Sequence, residues 1–246
     1  MKLQFRKLRA DEIDCRVAQI EKTWCTLLLY KDARVDQNIL DETVGCMNWQ
    51  KRYVRDNANC IVGIWDEEKN QWVEKEDTGT ESFSEAEKGL ASDSFKRACF
   101  NWGIGRELYT APSIFILPRK DIKYKNKGSE VDEFFEYKDS KYTTKTRFEV
   151  ELITYDDLGN IKDLIIRDQK GNERFTQVSK ELEQDLNKIV LQLRKAIERA
   201  EELDKDFERE KLYEYFGKQV DSQLTYEEKK EAIELLTKKY KKKEGK

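Results

Sequence analysis

Residues 47–102 read MNWQKRYVRDNANCIVGIWDEEKNQWVEKEDTGTESFSEAEKGLASDSFKRACFNW. The first half of this stretch holds three short runs rich in β-branched and aromatic residues: Met47 to Arg55, Cys60 to Asp66 and Gln71 to Glu76. Asp56-Asn57 and Asp66 to Asn70 separate them as polar turns, a pattern that predicts three strands joined as an antiparallel meander. The second half predicts a helix over 84–102. Ser84-x-x-Glu87 forms a capping box, acidic residues crowd the first turn where the helix dipole favours them, and Gly103 supplies a stop. Leu90, Ala91, Ser94 and Ala98 leave a small-residue surface able to lie close to a sheet. A meander packed on one helix sets the fold class as α+β.

Upstream, Leu8, Ile13 and Val17 share a rough face and predict a short helix over 8–18. Thr26 to Tyr30 (TLLLY) is a strand candidate, and Asp32 to Val44 a helix with Val35, Ile39 and Leu40 inward and Gly45 as its stop. Downstream of Pro112 and Pro118 comes a lysine-rich connector. Strand candidates follow at 146–155, 162–168 and 173–177, with Asp156 to Asn160 and Gln169 to Asn172 as turns. From Leu182 the apolar positions Leu186, Ile189, Leu193, Ile197, Ala200, Leu203 and Phe207 recur at steps of three and four, which predicts a long amphipathic helix. Gly217 interrupts it. Thr225-x-x-Glu228 caps a second helix with Ala232, Leu235 and Leu236 on its apolar face, before a basic end. These shifts divide the chain into a core over 1–125, a β extension over 126–177 and a helical C-terminal region over 178–246.

Composition narrows the chemistry. Histidine is absent, which excludes Ser-His-Asp and Cys-His catalysis and His-ligated metal sites. No G-x-x-x-x-G-K-[ST] occurs, so a P-loop nucleotide site is not expected. The five cysteines are scattered without C-x-x-C, as expected of reduced thiols in a cytosol. No apolar run reaches the ~20 residues of a membrane span, and the start lacks the apolar stretch of a signal peptide. The formal net charge is -3, so any contact with nucleic acid needs a local basic stripe.

The residues Lys88, Ala91, Ser92-Asp93, Lys96-Arg97-Ala98, Trp102-Gly103 and Gly105 resemble the signature helix of the single-strand annealing proteins typified by the eukaryotic Rad-fifty-two protein and its phage relatives. A second segment, Tyr30 to Trp49 (YKDARVDQNILDETVGCMNW), is similar to that family's strand, its helix opening near an Arg-Val, and a Gly-aromatic-x-x-Trp element. Here Cys46 stands at the aromatic position. The matching order of elements runs over roughly 8–109. The resemblance implies an ATP-independent, cofactor-free binder of single-stranded DNA that pairs complementary strands. It also implies a ring or helical homo-oligomer acting in the cytoplasm of a phage-bearing bacterium, with no enzymatic activity of its own. A host single-strand binding protein or a phage exonuclease is the candidate partner of the C-terminal helices.

The residues support the same site on their own terms. Lys88, Ser92 and Lys96 recur every fourth residue and line one helix stripe, with Arg97 beside it. Such cations would grip phosphates and leave base edges free for pairing. The blander account of Arg97 is its i,i+4 pair with Asp93, worth only ~0.2–0.5 kcal/mol. Arg34 takes a DNA-contacting role from the resemblance alone. Lys51, Arg52 and Arg55 cluster on a strand, with alternation sending Lys51, Tyr53 and Arg55 to one face; they read equally as DNA contacts or as a solvated face. Arg106 contacts phosphate or satisfies helix carbonyls. Trp49, Trp65, Trp72 and Trp102 read as core residues more readily than as stacking platforms. Two rivals stand beside this reading. Glu67-Glu68-Lys69 gives the acid-x-Lys element of metal-dependent nucleases, though in a turn. The apolar helical tail fits a coiled-coil scaffold that needs no DNA.

Overall fold

Leu8 to Ala18 does not form the expected helix. Instead Ala10–Glu12 makes one 3-10 turn and the chain continues as strand β1 (Asp14–Ile20). Cys15 and Val17 are half-buried while Asp14, Arg16 and Ala18 are exposed, a period of two rather than 3.6. The apolar spacing was too sparse to hold a helix against pairing on both sides, since β1 lies between two other strands of a sheet. The structure, a computed structural model, describes residues 3–80 and 86–241, and side chains over 3–80 and 89–240. The capping box at Ser84 therefore lies outside the described residues.

After β2 (Cys25–Tyr30) comes α1 (Ala33–Val44). Asp32 caps α1 by accepting from the Arg34 amide, and Gly45 ends it at φ 83°, where a side chain would be strained. The meander follows as β3 (Trp49–Val54), β4 (Asn59–Asp66) and β5 (Gln71–Thr78), antiparallel in the order β3-β4-β5. The register pairs Lys51 with Val62 and Val62 with Lys75, so these three share a sheet face. Helix α2 (Ala86–Trp102) packs on that meander. Its C-terminus is closed by Gly103 and Ile104, whose amides donate to the Phe100 and Cys99 carbonyls, a Schellman arrangement. Ile39, Leu40, Cys60, Val62, Phe95, Ala98, Cys99 and Ile104 are buried among these elements. They belong to one compact unit built from residues 3–16, 28–80, 86–112 and 156–161.

The second unit comprises residues 17–27, 113–155 and 162–241. Its six-stranded sheet runs β13-β12-β11-β1-β2-β6, with β6 (Ile114–Ile116), β11 (Phe148–Tyr155), β12 (Ile161–Asp168) and β13 (Glu173–Gln177). The strands expected as an extension are thus part of a sheet that also takes in the start of the chain. The lysine-rich connector is not a coil. It forms two hairpins, β7 (Lys123–Asn126) with β8 (Ser129–Asp132), and β9 (Phe135–Lys138) with β10 (Lys141–Thr143).

A buried polar network fixes the root of the second hairpin. Glu133 is fully buried and accepts from Arg174 at 2.5 and 3.0 Å, from the Thr146 hydroxyl at 2.7 Å and from the Arg119 amide at 2.5 Å. Arg174, on edge strand β13, also donates to the Leu117 carbonyl just beyond β6, the other edge. The sheet therefore curls until its two edges share a side chain.

The C-terminal region holds α3 (Lys180–Leu203), α4 (Arg209–Tyr215) and α5 (Tyr226–Lys241). The expected capping box is present, with the Thr225 amide on Glu228 at 2.7 Å and the Glu228 amide on the Thr225 hydroxyl at 3.2 Å. Leu193, Ile197 and Ala200 of α3 bury against Ala232, Leu236 and Tyr240 of α5. The helices are rooted on the sheet. Glu151 pairs with Arg167 and accepts from the Tyr226 amide at 2.9 Å, while Arg167 donates to the Ser222 carbonyl at 2.8 Å. No described helix is long and apolar enough to cross a membrane.

Candidate nucleic-acid interface

The start of α1 brings together an exposed arginine and a partly buried lysine of the first unit. Asp32 holds Arg34 by the amide and by Nε, both at 2.8 Å, which orients the guanidinium. The Arg34 side chain is still 83% exposed, and its terminal nitrogens have no partner among the described residues. Those two hydrogen bonds, with the Lys96 charge adding to them, hold the Asp32 carboxyl below its ordinary range. Lys96, arriving on α2, acts electrostatically on both Asp32 and Asp36 and has no carboxylate within ion-pair range among the described residues. Arg34 and Lys96, 62 residues apart in sequence, thus both act on Asp32 at the start of α1.

Beneath them lies a pair that sequence reading missed. Asp36 accepts from Lys31 with both oxygens, and both side chains are buried. Burial pushes the Asp36 carboxyl up to about 6, against the opposing pull of Lys31. The Lys31 stem crosses Gly105 so closely that a Cβ there would sit 2.3 Å from Lys31 Cε. Gly105 also has φ 76°. That close approach gives the second glycine of the Trp-Gly-Ile-Gly run its physical reason.

Helix α2 meets the meander through its small residues. A Cβ on Gly79, just past β5, would lie 2.5 Å from the Leu90 carbonyl oxygen and 2.6 Å from the Ser94 amide. Ser94 donates to the Asn57 carbonyl, and Asp93 accepts from the amide and hydroxyl of Thr80 at 2.9 and 3.0 Å. Arg97 adds a 3.0 Å contact to Asp93 and is 44% exposed. Burial alone would raise the Asp93 carboxyl, but the bonds from Thr80 and Arg97 hold it below its ordinary range. Arg97 also feels Asp77 and Tyr109, whereas Lys96 feels Asp32 and Asp36. The two neighbours in sequence therefore serve different sides of α2, as roughly 100° per residue requires. The Lys88 side chain lies outside the described residues.

The strand cations separate. Lys51 turns toward α2, its ammonium 4.4 Å from the Phe95 ring centroid. Arg52 lies on the opposite sheet face and pairs with Glu74 at 2.9 Å. Arg55 is not on the strand. It opens the β3–β4 turn at φ 53°, followed by Asp56 and Asn57 at 52° and 68°, so the expected alternation stops at Val54. Arg106 donates to the Phe100 and Asn101 carbonyls, both at 2.8 Å, and Lys75 reaches the same Asn101 carbonyl at 2.8 Å. Arg106 thus follows the helix-closing alternative, at the end of α2 where the dipole favours cations.

The tryptophans are engaged in packing. Trp49 stacks on Phe95 and donates to Asp41, Trp102 donates to the Val62 carbonyl, and Trp65 meets Trp72 edge-on. The acid-x-Lys element falls in the β4–β5 turn, where Lys69 pairs with Asp66 at 3.0 Å. Among the described residues no three Cys, Asp or Glu side chains are grouped to hold a metal ion. No family model, curated protein or solved structure matches the chain.

Proposed function

We propose that this protein binds single-stranded DNA and anneals complementary strands without ATP, as a ring or helical homo-oligomer in a bacterial cytoplasm. The observation that carries the reading is the convergence of Arg34 and Lys96 on Asp32 at the start of α1, the first with terminal guanidinium nitrogens and the second with an ammonium that have no carboxylate partner among the described residues. Lys51 and Arg97 add charge from the meander and from the flank of α2. This is local basic character on a chain of net charge -3, the arrangement a phosphate contact needs. It coincides with the segments, Tyr30 to Trp49 and Glu85 to Tyr109, whose residues resemble the annealing proteins.

The test is anisotropy of a labelled oligonucleotide titrated without nucleotide across a range of salt, with electron microscopy for assembly. Wild type binds tightly at low salt with little sequence preference, and the Arg34→Ala/Lys96→Ala variant loses about 1.4 from the log-log salt slope, ~0.7 for each phosphate contact. An unchanged slope in that variant removes the site. No affinity at all for wild type at low salt removes the reading and favours an interaction scaffold.

A further inference from the structure

We propose that the end of the β9–β10 hairpin is a second contact for single-stranded nucleic acid, made by Lys138, Lys141 and Tyr137. The inference deepens the annealing reading and rests on it for the class of ligand.

The two hairpins of the connector treat their lysines in opposite ways. On β7–β8, Lys123 is opposite Asp132 and ion-pairs with it, and Lys125 is opposite Glu130. Each lysine on the paired strands there has an acid opposite it across the ladder. On β9–β10, Lys138 is directly opposite Lys141, and neither has an ion pair among the described residues. Like charges placed opposite each other destabilise a hairpin, so such a pair costs the fold stability in the absence of an anion. Both lysines are exposed.

The same hairpin aims an aromatic ring outward. Glu136 pairs with Tyr142 and Lys138 with Lys141, which leaves Tyr137 as the extra residue of a bulge. Bulges re-aim side chains, and Tyr137 is 64% exposed. Two cations for phosphates beside one free ring for a base are the parts that single-strand binding uses. An acidic peptide would have use for the lysines only.

The contact has a firm base. Phe134 and Phe135 are buried, and Glu133 next to them is held by Arg174, Thr146 and Arg119. Asp139 and Ser140, at φ 51° and 57°, close the hairpin with a two-residue turn. The cations therefore project from a fixed root and not from a loose loop.

The experiment titrates the full chain and its Lys138→Glu/Lys141→Glu, Lys138→Arg/Lys141→Arg and Tyr137→Leu variants with labelled oligo(dT), at several salt concentrations. The residues are exposed, so the circular dichroism melts should coincide. The charge-reversed variant is expected to lose at least tenfold in affinity at low salt and to show a slope smaller by about 1.4. The arginine pair keeps the wild-type slope, and Tyr137→Leu weakens binding about fivefold or more at any salt. An unchanged slope after charge reversal overturns the inference while leaving Arg34 and Lys96 in place. If polyglutamate competes as well as oligo(dT) and Tyr137→Leu has no effect, the hairpin is an acidic-peptide site and the inference falls. No binding by wild type overturns this inference together with the annealing reading.

Discussion

Both carboxylate oxygens of Asp36 accept from the ammonium of Lys31, five residues back, and both side chains are buried. The pair ties the end of β2 to the first turn of α1 and so fixes the helix end that carries Arg34. Breaking one half of such a pair leaves a buried charge alone. Lys31→Met is expected to lower unfolding stability by ~3–5 kcal/mol in urea titrations, and Lys31→Met/Asp36→Leu to recover most of that loss. A single variant as stable as wild type would show that water reaches Asp36.

The same carboxyl gives a pH dependence of unusual sign. Its folded value of about 6 lies above the ~3.9 of an unfolded aspartate. The folded state then binds the extra proton, so the contribution of Asp36 is fully present below ~4 and is lost as pH rises through about 6. Asp32 and Asp93, held below their ordinary range, act the other way and lose their contribution as pH falls. Relative to wild type, Lys31→Met/Asp36→Leu should gain about 2 kcal/mol between pH 4.5 and 7.5. Equal differences at the two pH values would remove the assignment.

Two glycines separate a clash from a strained angle. At Gly79 an alanine methyl meets backbone atoms of Leu90 and Ser94, which no side-chain rotation can relieve. At Gly103 the space is open and only φ 106° resists a side chain. Gly103→Ala is therefore expected to cost about 1–2 kcal/mol and Gly79→Ala about 3 kcal/mol or more. Thermal melts rank them, and the reverse order would place α2 farther from β5 than described.

Local signals carried much of this fold. Asp32 and Gly45 mark the ends of α1, Thr225 and Glu228 open α5, and Gln71 opens β5 after the polar turn that ends at Asn70. What was hidden depends on distant partners. Val17 belongs to a helix by spacing but to β1 by pairing. Lys127-Gly128 and Asp139-Ser140 are two-residue turn signals, masked by a lysine content that resembles a linker. Nothing local tells that Lys31 is buried or that Gly105 makes room for it. The candidate site was legible as residue types, while its division among Lys96, Arg97 and Arg52 required the packing of α2 on the meander.

The C-terminal helices are expected to be hard to remove. Deleting residues 225–246 takes the Tyr226 amide from Glu151 and uncovers Leu193 and Ile197, each worth about 1.5–3 kcal/mol when buried. The truncated chain should therefore be cleaved rapidly by trypsin within 180–224. A cut after Asp168 goes further, because it removes Arg174 and leaves Glu133 buried without its cation. Arg174→Ala alone is expected to cost ~3–5 kcal/mol. A protease-resistant truncation would mean that α3 stays folded without α5.

Cations that grip a ligand are expected to separate from cations that hold the fold. Arg106 donates to the two carbonyls at the end of α2, so Arg106→Ala should cost about 1 kcal/mol of stability and leave the salt slope of oligonucleotide binding unchanged. Among the described residues Arg34 is tied only to Asp32, close by on the surface, so Arg34→Ala should leave the melt unchanged and take ~0.7 from the slope. Arg97 shares Asp93 with Thr80 and stands between these cases. Arg97→Ala should lower both quantities, whereas Arg97→Lys keeps the charge and loses the fixed Nε contact, so it lowers stability alone. Melts and salt titrations on the same four variants give a two-way comparison that a merely structural role for Arg34 could not reproduce. If Arg34→Ala shifts the melt and not the slope, its guanidinium belongs to the cap of α1 and the phosphate site must be sought at Lys51 and Lys96 instead.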